Sequence, residues 1–181
     1  MIWREAANAL KALPMQRLIL MRHAEAERSA GSGRDRDRAL SARGRHDAAA
    51  MGRALAARGM RPDLALVSPS ARTRQTWELL HDAFGDVQVR EDDPLYNGGS
   101  DILRRFVEAA EDEAGCLMVV AHNPGVHLLA VEYLVESAAS PAVLDRMAGG
   151  FPPGAAAIFT VDVAGRCAFE GFIQPRDPGG E

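Results

Sequence analysis

Residues Leu18-Ile19-Leu20-Met21-Arg22-His23-Ala24-Glu25 set the reading of the whole chain. An apolar run of strand length ends abruptly in a cation and an imidazole. A continuous apolar run between polar residues is the pattern of a strand buried on both faces of a parallel sheet. Ligands of open parallel sheets bind beyond the carboxyl ends of the strands. Arg22 and His23 are therefore expected at the mouth of the fold. Taken alone, the octapeptide does not decide a function, because a single His at a strand end is more often a hydrogen-bonded structural residue than a catalyst.

Residues 28–38 follow, rich in Gly, Ser, Arg and Asp and without apolar periodicity. They are expected to form a mobile loop, mostly a solvated linker whose charges cancel, with Arg38 as the exception. Ser41 is a plausible N-cap for a helix that ends at Gly59, with Ala48, Met51, Leu55 and Ala56 as its apolar stripe. Leu64 to Val67 reads as a second short buried strand. Ser68 and Pro69 then read as the cap and first position of a helix running to about Phe84. Val87 to Arg90 reads as a strand nearer an edge, and Asp101 to Glu113 as a helix. Cys116 to Ala121 is another strongly apolar strand, ending in His122-Asn123-Pro124-Gly125 before a helix from Val126 to Val135. Ala156 to Val163 and Cys167 to Ile173 form a hairpin turning at Ala164 and Gly165.

Strands alternating with helices predict an α/β fold: a three-layer α/β/α sandwich around a mostly parallel central sheet. The domain is expected to span residues 15–175. Residues 1–14 read either as a short amphipathic helix packed on the domain or, the reading preferred here, as a dispensable N-terminal extension with Met15 as the older start. Residues 176–181 are read as a disordered tail.

The totals narrow the function classes. A chain of 181 residues with 47% apolar and 25% charged residues suits one soluble domain. A net charge of -4 argues against general binding of nucleic acid. No apolar run reaches membrane-spanning length. Cys116 and Cys167 form no metal or redox motif and read as buried free thiols. A cytoplasmic monomer is the expectation.

Three buried strands thus end in Arg22-His23, in Ser68 followed by Arg72, and in His122. Each has an ordinary reading: Arg72 as a helix-surface charge, His122 as a substitute cap. Two imidazoles and two guanidiniums converging on one sheet edge would nevertheless be costly to cluster without an anion. Guanidiniums bind phosphate oxygens in bidentate fashion and keep their charge. Helix N-termini after these strands add backbone donors. The ligand implied is a phosphoryl group.

These residues resemble the motifs of the histidine phosphatase superfamily (phosphoglycerate mutase-like), and within it the SixA-type phosphohistidine phosphatases. Arg22-His23-Ala24 matches the family's Arg-His-Gly except at Ala24. Ser68-Pro69 to Arg72, with Gln75-Thr76, is similar to the second motif, and Val120 to Gly125 to the third. Arg38-Ala39-Leu40-Ser41, with Gly44, resembles a segment of the small phosphatases. The resemblance covers Leu18 to about Phe172. It implies a phosphatase in which neutral His23 attacks phosphorus and carries it as phosphohistidine. Arg22, Arg72 and a protonated His122 would hold the phosphoryl oxygens, with Arg38 and Asn123 as further phosphate-binding groups. No carboxylate cluster stands at these strand ends, so neither metal nor cofactor is expected.

Two positions depart from the family. Ala24 is still small. Where mutase-like members carry an acidic proton donor this chain has Asn97, with Asp92, Asp93 and Asp101 as neighbouring candidates. That favours a phosphoramidate substrate, above all phosphohistidine of a partner protein, whose leaving group is better than an alkoxide. The alternatives are a phosphatase for small phosphate esters or sugar phosphates, and a module that binds phosphohistidine without turnover.

Overall fold

The apolar runs become strands, and their alternating side chains divide the interior into two cores. A computed structural model describes residues 14–175. The expected extension lies outside these residues apart from Pro14, and the expected tail lies outside them entirely. The strands are β1 (Arg17–Arg22), β2 (Leu64–Val67), β3 (Gln88–Glu91), β4 (Cys116–Ala121), β5 (Ala156–Val161) and β6 (Cys167–Ile173). They form one sheet in the order β3-β2-β4-β1-β5-β6. The first four are mutually parallel, while β5 runs antiparallel to β1, and β6 to β5.

The helices are α1 (Ala42–Ala57), α2 (Ala71–His81), α3 (Ser100–Ala109), α4 (Gly125–Glu136) and α5 (Pro141–Ala148). Side chains of a strand alternate between faces. Leu18 and Leu20 of β1 therefore pack with Leu103, Val107 and Leu129 of α3 and α4, together with Met147 of α5. Ile19 and Met21 pack instead with Met51 and Leu55 of α1 and Trp77 and Leu80 of α2. All four β1 residues are fully buried. Each such side chain contributes roughly 1.5–3 kcal/mol relative to exposure. The result is the α/β/α sandwich expected from the alternation, with two helices on one face and three on the other. Among the described residues no helix is long and apolar enough to cross a membrane.

Register places the site. Arg22 of β1 lies opposite Ala121 of β4, and Val67 of β2 opposite Val120. His23, His122 and Ser68 therefore leave the sheet side by side. Backbone hydrogen bonds continue the pairing one step further, from His23 N to Ala121 O at 3.1 Å and from Ser68 N to Val120 O at 3.1 Å.

The structure corrects three local readings. α2 is capped by Ser70, whose Oγ accepts from Thr73 N, so Ser68 is not the cap. α5 has no counterpart in the sequence reading, although Ser140 before Pro141 is an ordinary helix-start signal. Residues 28–38 are not a free linker. They hold a 3₁₀ turn at Asp35–Asp37, and a bridge between Ala26 and Leu40 closes their base. Arg34 pairs with Asp37 and Arg38 with Asp35 within the segment, while Asp35 also reaches Arg72 and Arg36 reaches Asp93.

Candidate active site

His23 sits where β1 ends, 8% exposed. Its Nδ1 lies 2.7 Å from the Ala24 carbonyl, which can only accept, so Nδ1 carries the ring proton. Nε2 is left unprotonated and accepts from Arg72 Nε at 3.3 Å. Burial, with Arg72 and Arg22 nearby, pushes the His23 pKa down to about 4. The ring is therefore neutral at pH 7. The following residue, Ala24, is fully buried and donates its N–H to Thr76 Oγ1 at 3.0 Å. This ties the loop after β1 to α2.

That loop also lies directly against α1. A Cβ on Gly44 would stand 1.9 Å from the Glu25 carbonyl oxygen. Only glycine lets the first turn of α1 approach the loop so closely. Ser41 caps α1 by accepting from Gly44 N at 3.0 Å, and its hydroxyl donates to the Glu25 carboxylate at 2.7 Å. The helix start and the loop after β1 are thus built as one unit.

Arg72 projects from the first turn of α2 and is only 5% exposed. Its other two nitrogens turn away from His23: NH1 donates to the Asp35 carbonyl at 2.8 Å and NH2 to Asp35 Oδ2 at 3.0 Å. Arg22 donates from NH1 to the Phe151 carbonyl at 2.9 Å, while its buried Nε has no partner among the described residues. Burial lowers the Arg22 pKa from its ordinary value, but a guanidinium remains cationic.

His122 follows β4, 4% exposed, with its ring centroid 5.1 Å from that of His23. Its Nε2 and Ser68 Oγ share a hydrogen bond of 2.7 Å, and its buried Nδ1 has no partner among the described residues. Burial, then the neighbouring His23 and Arg72, push its pKa down to about 3. These surroundings favour neutral His122, where the sequence reading had it protonated. A second buried cation beside Arg72 would be poorly solvated.

The two further phosphate-binding candidates are engaged within the protein. Arg38 Nε donates to the Glu27 carbonyl at 2.8 Å and its NH1 to Asp35 Oδ1 at 2.9 Å. Asn123 Nδ2 donates to the Phe151 carbonyl at 3.1 Å, beside Arg22. The loop carrying Phe151 is also pinned to His23, through Gly154 N to His23 O at 2.9 Å.

The proton-donor candidates are scattered. Asn97 is exposed with φ 58. Asp93 accepts from Arg36 NH2 at 2.7 Å, and Asp101 lies 3.6 Å from Arg105 along α3. None has a recorded contact with His23 or His122. The carboxylate joined to the cluster is Asp35, which sequence reading passed over. Besides Arg72 and Arg38 it accepts from the Tyr96 hydroxyl at 2.8 Å. The Tyr96 ring meets His122 edge-on at 5.6 Å. The one available signal was the alternation Arg34-Asp35-Arg36-Asp37-Arg38, and it does not say which acid turns inward. Among the described residues, no three His, Cys, Asp or Glu side chains are placed together to hold a metal ion.

The arrangement offers a neutral, oriented nucleophile among guanidiniums and imidazoles, which is equipment for a phosphoryl group. Comparison with known proteins agrees. The sequence pattern described as Histidine phosphatase superfamily (branch 1) matches residues 18–99. An uncharacterized protein of Mycobacterium tuberculosis is 32% identical over 162 residues, 86% of this chain and 100% of its own length. Two solved structures assigned as phosphohistidine phosphatase SixA are also similar. That from Agrobacterium tumefaciens is 30% identical with a TM-score of 0.79, over 89% of this chain and 99% of its own. That from Nakamurella multipartitia is 32% identical with a TM-score of 0.75, over 91% and 98%.

Proposed function

The chain belongs to the histidine phosphatase superfamily, in its SixA-type branch, and on that premise we propose that this phosphatase removes the phosphoryl group from phosphohistidine of a partner protein. The observation that carries the reading is the state of His23. Its Nδ1–H is fixed on the Ala24 carbonyl and its Nε2 lone pair faces Arg72 Nε at 3.3 Å. A ring held in this way attacks phosphorus without first losing a proton.

In the first step Nε2 bonds to phosphorus in line with the departing substrate nitrogen. Arg72 and Arg22 Nε stabilise the equatorial oxygens as charge spreads over them. With the Ser68 hydroxyl donating to its Nε2, His122 carries its proton on Nδ1 and offers that buried N–H to the same oxygens. In the second step water attacks the phosphohistidine, the P–Nε2 bond breaks, and His23 leaves as neutral imidazole. The guanidiniums supply the positive charge that a divalent ion supplies elsewhere, so the mechanism is metal-independent and needs no cofactor.

Two features favour phosphohistidine over an alkyl phosphate. Position 97, where a proton donor was sought, is an exposed Asn. Tyr96 first, and then Arg72, hold the Asp35 carboxyl below its ordinary range, so it is ionised at neutral pH. Neither residue can protonate an alkoxide. The partner is then a phosphorylated protein met by a monomer in the cytoplasm, a setting in keeping with two free, buried cysteines.

The test is rapid-quench labelling of the wild type and His23→Ala with a phosphohistidine protein. The wild type should show an acid-labile label on His23 that appears and decays at the turnover rate. Phosphate release by folded His23→Ala at a comparable rate would overturn the proposal.

A further inference from the structure

Asp35 is bound more tightly to the catalytic cluster than its place in a polar loop suggests. Its Oδ2 accepts from Arg72 NH2 at 3.0 Å and from the Tyr96 hydroxyl at 2.8 Å, and its Oδ1 accepts from Arg38 NH1 at 2.9 Å. Its backbone carbonyl takes Arg72 NH1 as well. A carboxylate offers about four lone-pair directions, and these contacts fill three. The remaining one is on Oδ1, and the side chain is 50% exposed at the mouth of the site. Arg72 itself is buried and touches His23 Nε2 with the same guanidinium. A carboxylate fixed by three donors therefore keeps one acceptor direction open on a half-exposed side chain, one guanidinium away from His23.

We propose that Asp35 determines specificity by accepting a hydrogen bond from the ring N–H of a substrate imidazole, so that the site selects phosphohistidine over phosphate esters. This rests on the reading of the substrate given above.

The chemistry is a transfer between two imidazoles. The His23 Nε2–P bond forms as the substrate N–P bond breaks, and the bonding pair returns to the substrate nitrogen. The far nitrogen of the substrate ring keeps its proton throughout, so the ring departs neutral and no acid is needed. The chain already provides an acceptor for the far N–H of its own imidazole, the Ala24 carbonyl at 2.7 Å. Asp35 supplies the equivalent for the substrate ring, and as an anion it favours the protonated phosphoimidazole, the form that expels a neutral leaving group. An ester has no such N–H. Its developing alkoxide meets the charge of Asp35 as repulsion.

The experiment compares wild type, Asp35→Asn and Asp35→Ala on two probes, free phosphohistidine and phenyl phosphate. Thermal melts report folding, and Asp35→Asn is close to isosteric. The readout is the ratio of kcat/KM for phosphohistidine to that for phenyl phosphate. It should fall about tenfold in Asp35→Asn, as a charge-assisted hydrogen bond becomes a neutral one, and further in Asp35→Ala. Equal losses on both probes would mean that Asp35 only holds Arg72, and would overturn the proposal. So would an unchanged ratio. If the wild type hydrolysed phenyl phosphate and left phosphohistidine intact, the substrate reading would fail and this inference with it. That outcome is distinct from an active wild type with an insensitive ratio.

Discussion

Arg72→Lys separates the geometry of the site from its charge. Arg72 makes three contacts from three nitrogens: Nε to His23 Nε2 at 3.3 Å, NH1 to Asp35 O at 2.8 Å and NH2 to Asp35 Oδ2 at 3.0 Å. These point in fixed directions from one plane. A lysine places one nitrogen near the centre of that plane. It can approach His23 or Asp35, not both with good geometry, and it has no bidentate edge for phosphoryl oxygens. The position is also 5% exposed, a poor place for a strongly hydrated ammonium. Losing one preorganised donor at a developing charge costs on the order of 10²-fold. At about 1.4 kcal/mol per tenfold, that is about 2.7 kcal/mol of transition-state stabilisation. The assay is steady-state kcat and KM on a phosphohistidine substrate, with the rate of His23 labelling measured in parallel and a thermal melt as the control for folding. The loss should fall mainly on kcat and on the labelling step, because the fork matters most as charge spreads over the oxygens. A folded Arg72→Lys protein within about threefold of wild type would show that Arg72 acts only as a point charge.

The pH profile follows from His23. Its pKa is depressed to about 4 and the proposed attack uses the neutral ring, so labelling should hold from about pH 8 to about pH 5 and fall as pH drops through about 4. A midpoint near the ordinary 6.5 would contradict the buried, cation-flanked environment. Gly44→Ala sets helix propensity against sterics: propensity favours Ala by roughly 1 kcal/mol, but the Cβ would stand 1.9 Å from the Glu25 carbonyl. Chemical denaturation should show a net loss of about 1–3 kcal/mol, with lower activity from a displaced nucleophile loop, and a variant as stable as wild type would refute the close approach. Turnover should persist in EDTA, since the pocket already gathers Arg22, Arg72 and Arg38 around His23. Loss of activity on chelation and its return with a divalent metal would sink the metal-independent mechanism.

The scaffold and the groups at its mouth are written in the apolar pattern of the chain. Buried strands read as continuous apolar runs because both faces of β1 and β4 need apolar partners. The residue that ends such a run must then stand at the sheet edge. Arg22, His23 and His122 were legible for that reason, and register between neighbouring strands brings them together, while Arg72 reaches them from the first turn of α2 after β2. The mouth of the site was a different matter. Asp35 meets Arg72 across 37 residues of chain and Tyr96 across 61. Such contacts leave no periodicity in either segment, and a charge-rich loop looks the same whether its acids face water or a buried guanidinium. The protonation of His122 was equally hidden, because it depends on what surrounds the ring. Ser68 resembled a helix cap until the fold placed its hydroxyl 2.7 Å from His122 Nε2 and left Ser70 to cap α2. Local pattern selects the residues that reach the mouth of the sheet. The packing of loops over that mouth settles how they are paired and which carboxylate joins Arg72 there.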